Sequence, residues 1–503
     1  MPASAGAGRL RPYPTTCVEP GGRDLKRPNL LYIFTDQQRA DTLACYGNQQ
    51  IEAPALNGLA AESCVFERAY VSQPVCSPAR ATMMTGLWPH AAGVPACNVP
   101  LAADIPTIAD YLAPTHDTAF MGKWHLGDEI FPQHGFAEWV GTEDSYRHSY
   151  ARPEHLETLS PYHHFLLQQG YQPDAQNQGQ AIFSRHVEAC MPEAHTKAAY
   201  LGERAAQYIG QRGEQPFVLC VSYLEPHPPH TGPLDNLYDP ATLPTGPAFR
   251  CPPGADTPLM VRLMSAYYSQ SEEYGLDLRD EAGWRALMAR YWGNITLVDR
   301  SVGRILRALE ESGQADNTIV VFTSDHGEMM GDHGLLGKTL MHEESVRVPL
   351  LLRDPRLGGG QRRIEGAFSH IDLLPTLLDL TGQSVPGNLP GRSRVGVLEG
   401  RDNLADNDVI IQWNGSDGQI NPSLGEAEVN RSMGRPCRTL ISVDWKLNLY
   451  DRGMGELYNL QEDPHELENL WARDECRGRI EAMTAQIKDW QVVNGDAAEV
   501  ACI

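Results

Sequence analysis

The 503-residue chain contains no run approaching the roughly eighteen apolar residues that a membrane-spanning helix requires. Its first 22 residues are rich in Ala, Gly, Pro and Arg but hold no apolar core of the kind a secretory signal carries. Basic residues are scarce. The 41 Lys and Arg face 64 Asp and Glu, a formal charge of -23, which argues against a nucleic-acid surface. Low-complexity blocks and internal repeats are absent. The cysteines number 11, an odd count in a large chain without a signal, and this argues for reduced thiols rather than a disulfide framework. Together these absences predict a cytoplasmic protein without a membrane segment. An anionic substrate would be repelled at long range by such a chain and would need a local cationic pocket.

The length allows a large core and more than one domain, and an apolar content of 42% suits a globular protein. Residues 1–28 read as an N-terminal tail. Then Asn29-Leu30-Leu31-Tyr32-Ile33-Phe34-Thr35 is nearly continuously apolar, the pattern of a strand buried on both faces of a parallel sheet, and it ends in Asp36-Gln37. The design recurs three times. Thr118 to Met121 runs into Lys123 and His125, Phe217 to Tyr223 into Glu225 and His227, and Ile319 to Ser324 into Asp325 and His326. An open α/β sheet brings such strand ends to one shared edge.

Helices are expected over 195–211, 285–312 and 372–381, the last two closed by Gly313 and Gly382. Residues 128–191, rich in Tyr, His and Gln, read as a surface insertion, with a substrate-facing or oligomer-forming loop as the other reading. Residues 231–258 read as loop. Beyond about Pro390 short strand-like runs lie without intervening helices, at 409–411, 439–443 and 446–450, before a helix over 475–492. The chain therefore divides into a catalytic α/β domain over 29–390, with a large mostly parallel sheet flanked by helices, and a smaller α+β subdomain over 391–503 with an antiparallel sheet.

The stretch around which the rest is organised is Cys76-Ser77-Pro78-Ala79-Arg80, continuing to Thr85-Gly86. Ser77 is a candidate cap and Pro78 suits the first helical position, so Cys76 would lie in the positive field of a helix N-terminus. An isolated cysteine is usually a small buried apolar residue. This one has company. Its five residues resemble the Cys-x-Pro-x-Arg signature of type I sulfatases, members of the alkaline phosphatase-like superfamily. The resemblance extends through Phe34-Thr35-Asp36-Gln37-Gln38, Gly122-Lys123-Trp124-His125-Leu126-Gly127, Glu225-Pro226-His227-Pro228-Pro229 and Ser324-Asp325-His326-Gly327-Glu328. Further matches are Gly334-Leu335-Leu336-Gly337-Lys338, Ser345-Val346-Arg347-Val348-Pro349, and Glu456 to Leu460 with Asp463-Pro464, so it covers about 29–470 in the family's order.

The resemblance implies an alkaline phosphatase-like sheet and a sulfatase that hydrolyses a sulfate monoester. It implies that a modifying enzyme, the formylglycine-generating enzyme, oxidises Cys76 to formylglycine, whose hydrate attacks sulfur and then expels sulfate. Asp36, Gln37, Asp325 and His326, with position 76, would hold a divalent metal. Oxygen donors favour Ca²⁺, while the imidazole gives weight to Mn²⁺ and Mg²⁺ stays open. Arg80 would position the nucleophile, His125 would act as base and His227 as acid toward the leaving alcohol. Lys123 and Lys338 would bracket the transferring charge and, with His227, bind substrate. A solvated surface role is the competing expectation for both lysines, more so for Lys338 in its glycine-rich segment. His230 and His342 are expected no nearer than behind these groups, and Tyr162, His163 and His164 are weaker candidates for substrate binding.

Two pairs depart from the commonest pattern. Asp36-Gln37 and Asp325-His326 stand where many sulfatases have Asp-Asp and Asp-Asn, and the variants resemble choline sulfatases and phosphonate monoester hydrolases. The alternatives are thus a phosphonate monoester or phosphodiester hydrolase with the same nucleophile, an unmodified Cys76 thiolate as nucleophile, and a catalytically silent protein that binds sulfated ligands. The substrate reads as a small-molecule or saccharide sulfate ester. A homo-oligomer through a sheet edge or the C-terminal part stays open.

Overall fold

The structure, a computed structural model, describes residues 27–415, 434–451 and 453–501. Apart from residues 27 and 28, the expected tail over 1–28 lies outside the described residues. The first strand, β1 (Asn29–Asp36), is buried along its whole length, as its apolar run requires. Its alternate side chains go to opposite faces, Leu31 and Ile33 to one core and Leu30, Tyr32 and Phe34 to the other.

Along the chain follow β2 (Cys64–Tyr70), β3 (Asp117–Gly122), β4 (Glu138–Gly141), a small hairpin of β5 (Ala175–Asn177) and β6 (Gln180–Ile182), and β7 (Phe217–Pro226). A second hairpin, β8 (Glu272–Glu273) and β9 (Leu276–Asp277), precedes β10 (Thr318–Ser324), β11 (Arg347–Val348), β12 (Leu350–Arg353) and β13 (Arg362–Ser369). The central sheet has the order β11-β2-β12-β10-β1-β7-β3-β4, with β13 paired to β2. The run β10-β1-β7-β3-β4 is parallel, whereas β12 pairs antiparallel with both β10 and β2.

Helices Lys197–Gln211 and Glu281–Glu311 cover the Leu31 face, and Cys76–Thr85, Ile108–Leu112 and Leu373–Leu380 cover the Tyr32 face. Parallel strands packed on both faces force the C-terminal ends of β1, β3, β7 and β10 to the same edge. There Asp36, Lys123, His227 and Asp325 emerge. One close approach fixes the position of Lys123: Gly122 has φ 115°, and a Cβ there would lie 1.8 Å from the Ser222 carbonyl oxygen on β7.

The remaining strands are β14 (Val409–Trp413), β15 (Cys437–Ser442), β16 (Trp445–Leu449) and β17 (Gly455–Asn459), an antiparallel sheet in that order. Helix Arg477–Asn494 packs Ile480, Met483 and Ile487 against Leu440, Leu447 and Leu457, in a cluster that also takes in Trp88 and Ile371. Buried Lys446 ties this sheet to the main body through Glu343 at 3.1 Å and Glu466 at 2.8 Å.

Residues 128–191 are not a bare surface loop. They carry β4, the β5–β6 hairpin and helices Pro161–Gln168 and Arg185–Ala189, around a small core of Tyr162, Leu166, Phe183 and Met191. Tyr162 and His163 are buried in this packing rather than turned to a substrate, and His164 is exposed.

His370, just after β13, is fully buried, with Nε2 3.1 Å from Thr323 Oγ1. Burial alone pushes its imidazole down to about 3. The neutral ring therefore contributes stability that is complete above about pH 6.5 and is lost as pH falls toward 3, because the unfolded chain takes up the proton first. Urea titrations at pH 7 and pH 5 are expected to show His370→Gln losing about 2 kcal/mol less than the parent on acidification.

Candidate active site

Helix Cys76–Thr85 begins at Cys76, with Val75 as an uncapped N-cap, and ends on Gly86 at φ 67°. The helix thus starts earlier than Ser77 and Pro78 suggested. Ser77 does not cap: its hydroxyl accepts a hydrogen bond from the Asn98 amide at 3.1 Å. All ten helical residues are buried. Arg80, one turn on from Cys76, is 1% exposed and extends its guanidinium between two strand ends. Nε donates to Asp325 at 2.8 Å and Nη2 to Asp36 at 3.0 Å, while Nη1 reaches the Lys123 carbonyl at 2.6 Å and Ser222 Oγ at 2.8 Å. A planar five-donor fork suits this geometry where an ammonium would not.

Around position 76, present here as the encoded cysteine, four ligand-type side chains converge. One atom each from Asp36, Cys76, Asp325 and His326 lies within 4.8 Å of the others, and all four residues are buried. His326 Nε2 stands 3.2 Å from Cys76 Sγ, 3.4 Å from Asp325 and 3.6 Å from Asp36. Its Nδ1 is placed 3.0 Å from the Gly327 carbonyl, which turns Nε2 into the cluster; burial opposes charge on the ring, but Asp325 outweighs it and raises the imidazole. Gln37, at φ 72°, gives its amide N–H to Asp325 at 3.1 Å and its side-chain NH₂ to Glu328, and its Oε1 accepts from Lys338 at 2.6 Å.

The cations close the ring. Lys123 Nζ is fully buried 2.5 Å from Asp36, and Lys338 Nζ is 3.2 Å from Cys76 Sγ with only 17% of its side chain exposed. Neither lysine is a solvated surface group. Burial and the Cys76 charge would raise the Asp36 carboxyl, but Lys123, His227 and Lys338 hold it well below the usual range. Burial and then the charge of Asp36 push Asp325 up to about 6. Burial would raise the Cys76 thiol, yet a hydrogen bond with Cys97 and the charges of Lys123, Lys338 and His326 keep it well below an ordinary thiol.

Two imidazoles complete the site. His125, at φ 58°, stacks on Tyr146 with ring centroids 3.9 Å apart and places Nε2 2.8 Å from Asn98 Oδ1. Its backbone N–H is held at 2.6 Å by Glu129, and its buried Nδ1 has no partner among the described residues. His227 turns Nδ1 to the Pro228 carbonyl at 2.8 Å. Burial first, then Lys123 for His125 and Lys338 for His227, pushes both rings down to about 3. His230 lies behind the site, with its Nδ1 on the Pro226 carbonyl at 3.0 Å and its Nε2 3.9 Å from Glu328. His342 is outside it, its ring tilted against that of His333 with centroids 4.4 Å apart.

The residues named from the sequence as catalytic or metal-binding are thus brought around one point. Sequence reasoning missed the residues that hold them. Glu328 anchors Gln37 and also accepts from the Met330 amide at 3.1 Å. Ser222 links Arg80 to the Lys123 carbonyl. Glu328 closes the Ser324-to-Glu328 match and was legible there, whereas Cys97, Asn98 and Tyr146 stand outside every motif and no sequence signal marks them.

A mostly parallel sheet with a buried cysteine, a ring of cations and an acidic cluster at its carboxyl edge has the architecture of the alkaline phosphatase-like fold. The family profile described as Sulfatase matches residues 28–383, and one described as N-sulphoglucosamine sulphohydrolase, C-terminal, matches 331–492. The chain is 30% identical over 467 residues to the sulfatase YidJ of Escherichia coli strain K12, covering 89% of this chain and 83% of that one. It is 27% identical to an N-acetylglucosamine-6-O-sulfatase of Bacteroides thetaiotaomicron, covering 95% and 88%. Among solved structures, the phosphonate monoester hydrolase of Agrobacterium radiobacter superposes with a TM-score of 0.71 at 26% identity, over 93% of this chain and 96% of that one. The chain belongs to the sulfatase family and is a sulfuric ester hydrolase.

Arg80→Met removes the one guanidinium shared by Asp36 and Asp325 and leaves two buried carboxylates facing each other. The expected loss is about 3–5 kcal/mol of unfolding free energy, with Arg80→Lys losing less because it keeps the charge. Denaturant midpoints of the three proteins check this.

Proposed function

We propose that this sulfatase hydrolyses the sulfate monoester of a saccharide, with residue 76 as nucleophile. The observation that carries the reading is a cation ring of Arg80, Lys123 and Lys338 around Cys76 in a chain of net charge -23. The saccharide part is supported by the N-acetylglucosamine-6-O-sulfatase relative.

Asp36, Gln37, Asp325 and His326, with residue 76, would hold a divalent metal. The donor set fits one: burial and then the neighbouring Asp36 charge push Asp325 up, so a cation between the two carboxylates is favoured, and His326 Nε2 is aimed at them. A metal bound there supplies Lewis acidity toward the ester and lowers the pKa of a nearby hydroxyl. Mainly oxygen donors favour Ca²⁺, with Mn²⁺ next because of the imidazole. The family's formylglycine at position 76 supplies an oxygen nucleophile with its own route of release.

The chain's own groups do the rest. Lys123 and Lys338 neutralise the sulfate oxygens, and Arg80 holds the geometry between Asp36 and Asp325. The free Nδ1 of His125 is suited to take a proton from residue 76. His227 is neutral beside the lysines, and the charge of a bound ester opposes them, raising the ring's affinity for the proton it would pass to the leaving alcohol. We take 29–390 as the catalytic domain and 391–503 as its α+β partner. A cytoplasmic setting is supported by nine free cysteines among the described residues. No helix among those residues is long and apolar enough to cross a membrane.

The second reading, a phosphonate monoester or phosphodiester hydrolase with the same nucleophile, draws on Gln37, His326 and the Agrobacterium neighbour. Rates of the same preparation on 4-nitrophenyl sulfate and on an aryl phosphonate monoester separate the two, the sulfate being expected to win in kcat/KM.

Two outcomes are expected of protein made beside a formylglycine-generating enzyme. The tryptic peptide holding residue 76 should be about 18 Da lighter than its cysteine form. Release of inorganic sulfate should fall by on the order of 10³-fold in Cys76→Ala and vanish after chelation, returning with Ca²⁺ or Mn²⁺. An unmodified thiol in fully active protein would move the nucleophile's role to the thiolate.

A further inference from the structure

The segment 128–191 packs against His125 and Lys123, and one of its side chains is charged and partly open. Tyr146 lies against His125, and its ring centroid is 5.1 Å from Lys123 Nζ. The Arg185 guanidinium lies 4.6 Å from the same ring, and Arg185 also interacts with the Tyr146 hydroxyl. Glu143 anchors Arg185 through Nη2 at 3.0 Å and Nε at 3.3 Å. The other Glu143 oxygen holds Lys197, whose Nζ also reaches Glu188 at 2.7 Å. In this group the Arg185 side chain is 23% exposed, against 0%, 2% and 6% for Glu143, Lys197 and Glu188.

The cleft that Arg185 faces is narrow, about 20 Å³ in this structure, and is shared with His227, Glu225, Thr231 and Asn294. His227 is the residue assigned above to the leaving alcohol, so whatever Arg185 touches belongs to the alcohol part of the substrate. Burial works against ionising Glu143, but Lys197 and Arg185 outweigh it and bring the carboxyl down to about 2. Burial lifts Glu188 to about 8 and raises Glu225 as well. Of the two cations in this group, Arg185 is the one that opens to the cleft, Lys197 being enclosed between Glu143 and Glu188. Glu225 Oε2 is buried without a partner among the described residues, a further polar atom offered to a ligand. Three bonds, two to Glu143 and one with Tyr146, engage only part of a guanidinium that has five N–H donors.

We propose that Arg185 binds a second anionic group, a sulfate or a carboxylate, carried by the sugar beside the scissile ester. The substrate class is then an acidic saccharide rather than a neutral monosulfated sugar or a cationic choline-like alcohol. A bidentate guanidinium suits a planar carboxylate or a sulfate face, and Glu143 with Tyr146 fixes its orientation before the ligand arrives.

The inference rests on the saccharide sulfatase reading, and the experiment keeps the two apart. Sulfate release is followed on N-acetylglucosamine 6-sulfate, glucosamine 2-N,6-O-disulfate and a monosulfated disaccharide bearing a uronate, and the readout is the kcat/KM ratio of each doubly anionic substrate to the singly anionic one. The parent is expected to prefer at least one doubly anionic substrate by about tenfold or more. In Arg185→Gln that ratio should collapse toward one, and Arg185→Lys should keep part of it. Raising the salt to about 0.5 M should erode the ratio in the parent, because the contact is partly exposed. Turnover with no preference for a second anion in the parent, or a ratio unchanged in Arg185→Gln, overturns the role of Arg185 alone. Absence of sulfate release from all three substrates by protein carrying the aldehyde overturns the reading beneath it. Should Arg185→Gln fail to fold, the parent's ratio and its salt dependence decide.

Discussion

The clamp of Arg80 on Asp36 and Asp325 is the interaction on which the rest depends. Two carboxylates at the ends of adjacent parallel strands are driven together by the register that pairs Thr35 with Ser324. Without a counter-charge that arrangement would push both toward protonation. Arg80 reaches them from the helix headed by residue 76, so one guanidinium sets the distance from nucleophile to ligand cluster. Its third nitrogen extends the clamp to Ser222 and the Lys123 carbonyl, on the ends of β7 and β3. Four strand ends are thereby tied to one planar group.

That clamp is a poor source of net stability, since the desolvation of one cation and two anions offsets most of their attraction. Its value lies in position. The sheet and the two cores provide the stability, while the buried charges fix where four chemistries meet. Glu328 plays the corresponding part for Gln37, and Glu129 for the backbone of Trp124 and His125. Gln37 and His125 both have positive φ, the backbone geometry of groups held by their surroundings rather than by their own preference.

Much of this could be read in the chain. The apolar runs of β1, β3, β7 and β10 are continuous because both faces are covered, and the residues that follow them are chemical for the same reason they are adjacent: parallel strands end together. Among the strands that escaped notice are β2, β12 and β13. Cys64–Tyr70 carries Glu67 and Arg68 in mid-strand, Leu350–Arg353 is only four residues long, and Arg362–Ser369 is interrupted by Gly366. Each lies toward the antiparallel margin, where one face meets solvent or a bulge breaks the pattern. In the insertion, apolar positions fall on elements of three to eight residues, too short for any period to declare itself. Tyr146 and Arg185 were unreadable on those grounds, and only tertiary packing brings them over His125.

On the formylglycine reading proposed above, the burial of residue 76 imposes an order of events on maturation. Cys76 is 2% exposed, at the head of a helix whose ten residues are all buried, and Lys338 lies over it from a segment flanked by Gly334 and Gly337. An enzyme that oxidises this thiol would have to reach Cys76, Pro78 and Arg80, all of which the folded helix buries. Arg80 cannot be offered to such an enzyme and clamp Asp36 and Asp325 at once. The residues that read as a linear motif in the chain and the residues that form the clamp in the fold are the same ones, used in succession. On that reading modification precedes folding, and folding converts the recognition motif into the positioning device of the finished site.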